Sequence, residues 1–241
     1  MKPINDLQVK IFADGADLKG IATLAANPLI KGFTTNPTLM RKAGISDYKA
    51  FSHEVLKLIG NRPVSFEVFS DDFAEMEMQA REIASWGANV YVKIPVTNTK
   101  REFAGPLIRR LAQAGVQLNV TALMTNEQVR DVVGCLSPSV ASYVSVFAGR
   151  VADTGRDPLP AMAEAVHLLR PNPKAELIWA SPRELLNIFH ADSIGCHVIT
   201  VTHDILGKLN LVGKDLSDYS LDTVKMFYND AQTAGFRIAT S

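Results

Sequence analysis

The first candidate for a reactive residue is a lysine within an apolar stretch of the sequence. Lys93 lies in residues 89–97, which are rich in Val, Ile and Tyr and have the composition of a buried strand. An ammonium group is costly to bury without a partner, and burial lowers the pKa of a lysine side chain. A neutral amine forms a Schiff base with a ketone. The same stretch also fits a lysine that reaches solvent from a strand end. The choice between a buried and an exposed lysine therefore depends on the other strands.

Polar side chains share one face in several of the other strands. Successive side chains of a strand point to opposite faces, and in five strands one parity is wholly apolar. If the apolar parity packs against helices, the polar parity faces the interior, mostly near the C-terminal ends of the strands. We therefore expect the following residues to converge on one cavity with Lys93: Asp14, Glu67, Asn119, Thr121 and Ser145.

Eight predicted strands alternate with helical segments along the chain. The strands are expected at residues 8–13, 30–34, 63–69, 89–97, 116–123, 140–147, 175–180 and 196–202. Helices are expected at 17–26, from Asn36-Pro37 through 50–59, and at 71–85, 99–114, 126–135 and 216–234. Further helices are expected to begin at Asp157-Pro158, at Ser181 and shortly after the last strand, whereas 148–155 is expected to be a loop. This order predicts an α/β fold, a (β/α)8 TIM barrel with an extra C-terminal helix, in one domain spanning residues 1–241. An open doubly wound sheet is the competitor, but no GxGxxG or Walker sequence is present.

Composition limits the partners. The 241 residues hold 25 Lys and Arg against 25 Asp and Glu, which gives no support for nucleic acid or an anionic membrane. Residues 1–8 do not resemble a signal peptide, and no apolar run reaches membrane-spanning length. Cys135 and Cys196 lie in apolar contexts without metal-binding spacing, which predicts core residues in a reducing compartment, the cytoplasm. No metal site and no cofactor are expected.

Several of the candidate residues also have purely structural interpretations. Asp14 fits a cap of the helix that follows it, and Asn36 before Pro37 fits a helix cap equally well. Glu67 fits an inert buried ion pair with Lys93. The polar residues of strands five and six also fit a hydrogen-bonded core layer.

A second group of residues follows strands six and seven. Ser181 and Glu184 match a capping box, and a helix N-terminus with free amides also binds phosphate. Arg150 and Arg183 fit bidentate contacts to such a phosphate, or simple solvation at the surface.

Several motifs in this order resemble the transaldolase family, including its short members and the fructose-6-phosphate aldolases. The resemblance runs from the first strand to the eighth. It rests on Phe12-Ala13-Asp14, Thr34-Thr35-Asn36-Pro37-Thr38, Val92-Lys93-Ile94-Pro95, Asn119-Val120-Thr121, Ser145-Val146-Phe147-Ala148-Gly149-Arg150 and Ala180-Ser181-Pro182-Arg183.

The resemblance implies a role for each matching residue. Lys93 resembles the Schiff-base lysine, and Asp14 the acid/base that acts at the substrate hydroxyls. Glu67 and Thr121 resemble the pair that positions a catalytic water. Asn36, Asn119 and Ser145 resemble contacts to a dihydroxyacetone unit, and Arg150, Ser181 and Arg183 resemble a phosphate site.

The resemblance also implies sugar-phosphate substrates, a place in the pentose phosphate pathway and transfer of a three-carbon unit. Glu67 and Phe147 are as in transaldolases, whereas the aldolases carry Gln and Tyr there. The short chain and the Val-Thr after the lysine motif resemble the aldolases, so release of dihydroxyacetone remains an alternative.

Two further implications concern the donor and the assembly. Pro182 departs from the family beside the phosphate site, which leaves a sulfonated ketose open as donor. A barrel that binds a sugar phosphate without catalysis is the third hypothesis. Short family members form homo-oligomers with an exchanged C-terminal helix, a role that residues 216–234 fit by analogy.

Overall fold

Eight parallel strands form the centre of the molecule. The computed structural model describes residues 2–239, so Met1, Thr240 and Ser241 of the predicted domain lie outside the described residues. The strands are β1 (Lys10–Asp14), β2 (Ile30–Thr34), β3 (Val64–Glu67), β4 (Val90–Pro95), β5 (Leu118–Leu123), β6 (Ser142–Val146), β7 (Ala175–Trp179) and β8 (Val198–Thr202). Each strand pairs in parallel with the next, and β8 pairs with β1 to close the barrel. The predicted (β/α)8 barrel is confirmed.

Helices cover the outside of this barrel. They are α1 (Leu18–Ala25), α2 (Pro37–Lys42), α3 (Tyr48–Ile59), α4 (Phe73–Ala84), α5 (Gly105–Gln113), α6 (Asn126–Val133), α7 (Ala148–Ala152), α8 (Leu159–Leu169), α9 (Leu186–Ser193), α10 (His203–Leu206) and α11 (Leu216–Thr233). None of the helices in the described part of the chain is long and apolar enough to cross a membrane.

The two faces of the strands belong to two different apolar clusters. The outward residues of β4 and β5, such as Val92 and Val120, are fully buried in the large cluster shared with the helices. A smaller cluster fills the lumen and includes Phe12 and Tyr143. The predicted division of the strands by parity is therefore confirmed, since the period of two fixes which side chains point inward.

Three segments differ clearly from the sequence-based expectation for helices. The segment 99–104 is not helical, because the side chain of Asn98 accepts from the N–H groups of Lys100 and Glu102 and folds it into a turn. Residues 148–152 are helical rather than a loop. The helix expected from Ser181 begins only at Leu186.

The last helix differs from the others in its surroundings. α11 has no buried residue, and Leu216, Val224, Phe227 and Tyr228 are exposed large apolar side chains along it. The predicted extra C-terminal helix is thus present. Its apolar side chains are exposed to solvent in the described chain.

Candidate active site in the barrel lumen

The amine of Lys93 is buried inside the barrel. The residue is 7% exposed, and its Nζ donates a hydrogen bond of 2.7 Å to the backbone carbonyl of Thr35. Oε2 of Glu67, its register partner on β3, lies 3.7 Å from the same nitrogen. The alternative of a lysine that reaches solvent from a strand end is therefore wrong.

Glu67 ends β3 with its carboxylate turned toward this amine. Burial raises the pKa of Glu67, and the nearby charge of Lys93 only partly offsets that effect. The hydroxyl of Tyr48 accepts from the Glu67 N–H at 2.7 Å and donates to the Glu67 carbonyl at 3.1 Å. Tyr48 therefore fixes the backbone of the residue that carries the carboxylate.

Asp14 brings a second carboxylate to the lumen, from the end of β1. Burial raises the pKa of Asp14, although Lys93 and the hydrogen bonds to the carboxylate act in the opposite direction. Its Oδ1 accepts from the Thr34 hydroxyl at 2.8 Å, and its Oδ2 accepts from the Asn36 amide at 3.3 Å. Asp14 does not cap the following helix, because Asp17 is the residue that caps α1.

Asn36 has two roles in the structure. Its Oδ1 accepts from the Leu39 N–H at 3.0 Å and caps α2, while its Nδ2 donates to Asp14. The cap and the contact with the lumen are compatible, because the amide presents one group to each partner. Capping thereby fixes the orientation of the amide that donates to the carboxylate.

A polar layer crosses the lumen from β3 to β6. Asn119 donates to the Ser65 hydroxyl at 2.9 Å and accepts from the Ser145 hydroxyl at 2.7 Å, and all three residues are buried. The interpretation as a hydrogen-bonded core layer is therefore correct for Asn119 and Ser145. Such bonding also fixes their side chains for contact with a ligand.

Thr121 is the exception in this layer. Its buried hydroxyl has no hydrogen-bond partner among the residues that the structure describes. The register of β5 against β6 is irregular just after it, where Ala122 has a φ of 67°. A buried polar group without a protein partner is a suitable anchor for a water molecule.

The candidate phosphate residues lie at the rim, and their arrangement differs from the expectation. The guanidinium of Arg150 stacks over the ring of Phe147, with 5.6 Å between the guanidinium carbon and the ring centroid. Arg183 is paired with Asp153, and each of the two side chains is 51% exposed.

Ser181 is not a helix cap, which corrects the capping-box interpretation. It has a φ of 57°, and the Asn187 side chain accepts from the N–H groups of Arg183 and Glu184 instead. The idea of free helix amides at Ser181 is wrong for the same reason. Ser181 nevertheless lies beside α7, because its carbonyl approaches Gly149 closely.

Residues missed by the sequence analysis complete the lumen. Thr34 contacts both Asp14 and, at 2.5 Å between hydroxyl oxygens, Thr200. Extending the parity rule to β2 and β8 would have found these two threonines, and Ser65 shares its parity with Glu67. Tyr48 lies on a helix and gave no local signal.

Aromatic side chains close the lumen below the polar residues. The Tyr143 ring lies 4.3 Å from that of Tyr91 and 5.6 Å from that of Phe12, measured between centroids. Gly32 makes this possible, because a Cβ there would lie 2.5 Å from the Phe12 ring. The site therefore has an aromatic floor, a polar middle and a charged rim.

This arrangement suits addition to a carbonyl group. A buried amine next to a carboxylate with a raised pKa supports nucleophilic attack and proton transfer. The second carboxylate, Asp14, is available to a hydroxyl group of the same ligand. No cluster of three or more His, Cys, Asp or Glu that could hold a metal ion occurs within residues 2–239.

Comparisons with known proteins identify the family of the chain. A family model described as transaldolase/fructose-6-phosphate aldolase matches residues 11–238. A "Probable transaldolase" from Dehalococcoides mccartyi is 36% identical over 82% of this chain and 88% of its own length. Another of that name, from a Thermoanaerobacter species, is 31% identical over 95% of this chain and 100% of its own length.

A solved structure is similar in fold alone. The crystal structure of KGPDC from Streptococcus mutans superposes with a TM-score of 0.56 at 10% identity, covering 82% of this chain and 89% of that protein.

Proposed function

Because the chain belongs to the transaldolase/fructose-6-phosphate aldolase family, we propose that it is a transaldolase-type transferase. It moves a dihydroxyacetone unit from a ketose phosphate, such as fructose 6-phosphate, to an aldose phosphate through a Schiff base on Lys93. The observation that carries the proposal is the buried Lys93 amine, 3.7 Å from Glu67 in a lumen that also holds Asp14. A structural lysine would not need a second carboxylate with a raised pKa nearby.

The first half of the reaction forms and uses the imine. The amine of Lys93 adds to the ketose carbonyl, and the carbinolamine loses water to give an iminium ion. Glu67 exchanges the protons of this step through a water held with Thr121, whose free hydroxyl supports that role. The iminium then accepts the electrons of the adjacent C3–C4 bond as it breaks, and Asp14 takes the proton of the C4 hydroxyl.

The second half reverses these events on a new aldehyde. The three-carbon enamine on Lys93 attacks the carbonyl carbon of the acceptor, and Asp14 returns its proton to the new hydroxyl. Water then hydrolyses the imine and frees the product. Asn36, Asn119 and Ser145 hold the hydroxyl groups of the three-carbon unit, a role that their fixed hydrogen bonds support.

The rim residues bind the anionic end of the sugar. Arg150 follows β6, and Ser181 and Arg183 follow β7, so all three come from the C-terminal ends of strands, where barrel enzymes bind phosphate. Arginine suits this task through its planar set of donors. A sulfonated ketose is an alternative donor that the same guanidinium groups would accept.

Transfer is favoured over release of dihydroxyacetone. Phe147 lies between β6 and α7, where its ring packs against the apolar cluster of the lumen and offers no proton donor to the enamine. Glu67 offers a carboxylate where an amide would give no base. Release of dihydroxyacetone by an aldolase reaction is the alternative.

Three broader features belong to the same proposal. The protein is a single domain over residues 1–241, since the closed barrel spans most of the chain. It acts in the cytoplasm, in sugar-phosphate metabolism of the pentose phosphate type, and its two buried, unbridged cysteines are consistent with a reducing compartment. It forms a homo-oligomer through α11, whose exposed apolar side chains support burial against another copy. A monomeric mass by light scattering would contradict the last point.

Borohydride trapping tests the catalytic proposal. After incubation with fructose 6-phosphate and reduction, peptide mass mapping should find a three-carbon adduct on Lys93. Turnover should require an aldose phosphate. The Lys93→Met variant should lose the adduct and the activity, while Lys57→Met, at a side chain 71% exposed on α3, should keep both.

Other outcomes of this experiment separate the alternatives. Steady release of dihydroxyacetone without an acceptor would make the enzyme an aldolase. An adduct on another lysine, or none with any ketose, would refute the role of Lys93.

A further inference from the structure

The anion-binding rim contains a carboxylate of its own. Nε of Arg183 donates to Oδ1 of Asp153 at 3.0 Å, and Nη2 donates to Oδ2 of the same side chain. A guanidinium has five N–H donors, so others remain for a ligand. The charge of Arg183, however, is already offset before a ligand arrives.

Backbone packing holds the two partners next to each other. The Asp153 N–H donates to the Gly149 carbonyl at 2.9 Å at the end of α7. A Cβ on Gly149 would lie 1.5 Å from the Ser181 carbonyl oxygen and 3.3 Å from Nε of Arg183. The close approach of these two segments thus requires glycine, and the pair is built into the fold rather than made by two mobile side chains.

The remaining charged side chains of these segments have other partners or none. Arg156 donates to the Thr154 hydroxyl at 2.8 Å, and Asp157 accepts from the Leu159 N–H at 2.9 Å. The carboxylate of Glu184 makes no hydrogen bond within the described chain. Neither Arg156 nor Arg150, which is stacked on Phe147, contacts a carboxylate among residues 2–239, so of the arginines proposed to bind the tail only Arg183 is paired with one.

We propose that Asp153 is a specificity-determining residue of the donor site. With Arg150 and Arg183 it leaves the rim one net positive charge instead of two. A less positive site gains less from the second charge of a doubly ionised tail, so Asp153 allows singly charged tails to compete with doubly charged ones. This inference rests on the proposed function, because it assumes that the rim binds the anionic end of the ketose.

The charge of a sugar phosphate supplies the test, since its second pKa is about 6. The tail of fructose 6-phosphate is mostly singly charged at pH 5.5 and almost entirely doubly charged at pH 7.5. Fructose, as a neutral donor, reports the pH dependence of the lysine chemistry alone. The ratio of kcat/KM for fructose 6-phosphate to that for fructose therefore isolates the contribution of the tail.

Asp153→Asn should raise this ratio about threefold to tenfold at pH 7.5, given the strength of a contact between charges near water. At pH 5.5 the increase should be about two-thirds as large on a logarithmic scale, because the tail then carries about two-thirds of its charge at pH 7.5. Asp153→Glu should return the ratio toward the wild-type value. Glu184→Gln, which removes a neighbouring charge that does not contact Arg183, should leave the ratio within about twofold.

Three results would overturn the proposal. A fall of the ratio in Asp153→Asn at both pH values would mean that the carboxylate serves to orient Arg183. A rise of equal size at both pH values would mean that the effect of Asp153 does not depend on the charge of the tail. The same rise in Glu184→Gln would mean that the effect does not depend on contact with Arg183. Borohydride trapping with fructose keeps this separate from the proposed function, because adduct formation on Lys93 needs no charged tail.

Discussion

Two of the ion pairs in the molecule are similar in composition but lie in opposite surroundings. In the lumen, Lys93 and Glu67 have side chains 8% and 18% exposed and lie 3.7 Å apart. At the rim, Arg183 and Asp153 are each 51% exposed and joined by direct hydrogen bonds. Burial raises the pKa of Glu67 in the first pair, whereas water screens the second.

The difference separates reactivity from selection. Desolvation makes charged groups costly, and groups held in that state are those that exchange protons readily during a reaction. Exposed charges lose most of their interaction energy to water and serve to choose among ligands instead. Under the proposed function, the lumen supplies the chemistry and the rim selects among sugars.

The largest expected effect is a loss of turnover when a carboxylate is removed from the lumen. Asp14→Asn keeps the shape of the side chain but removes the base, so kcat should fall by about 10² to 10⁴. Imine formation should survive, because Lys93 and Glu67 are intact. Borohydride should then trap a six-carbon adduct on Lys93 instead of the three-carbon one.

A neighbouring acid provides the control for this prediction. Asp17→Asn changes an exposed carboxylate three residues along, and asparagine still caps α1. Its turnover should remain within about twofold of the wild type. A three-carbon adduct in Asp14→Asn, formed at the wild-type rate, would show that another group accepts the hydroxyl proton.

A smaller effect is expected on the free energy of unfolding, and it also differs between the lumen and the rim. Burial holds the pKa of Asp14 above its unfolded value, so the ionised carboxylate lowers the free energy of unfolding above the folded pKa. That cost disappears as pH falls through the folded pKa toward the unfolded one. Asp14→Asn should therefore raise Tm by about 2–4 °C at pH 8, with little or no gain at pH 4.

The same substitution at the rim should act in the other direction. Asp153→Asn removes an exposed ion pair and should lower the free energy of unfolding by at most about 1 kcal/mol. Calorimetry on both variants across this pH range is the measurement. Stabilisation by both substitutions, or by neither, would contradict the division between lumen and rim.

Local periodicity predicted much of the lumen from the sequence. Side chains two residues apart share a strand face, so the alternation along each strand alone predicts an interior position for Lys93, Glu67 and Asn119. The cap at Asn36 was also predicted, because an Asn-Pro pair suits a helix start wherever it occurs. These features depend on residues close in sequence.

Contacts between distant segments were not predictable in the same way. The Thr35 carbonyl that accepts from Lys93 and the hydroxyl of Tyr48 come from other elements, and nothing in their local sequence indicates a partner. The helix expected from Ser181 failed for a related reason. Its sequence fits a cap, but the close packing against Gly149 accompanies a left-handed backbone there that a helix start does not have.

The aromatic floor imposes an order of events on the proposed reaction. Phe12 and Tyr143 are buried below Lys93 and close the lumen at that end. Donor, acceptor and water must then all use the one mouth beside Arg150 and Arg183. The first product must leave before the second substrate arrives, which is the sequence of a ping-pong enzyme. An acceptor bound in that mouth also excludes water, so occupancy of the mouth protects the three-carbon intermediate from hydrolysis.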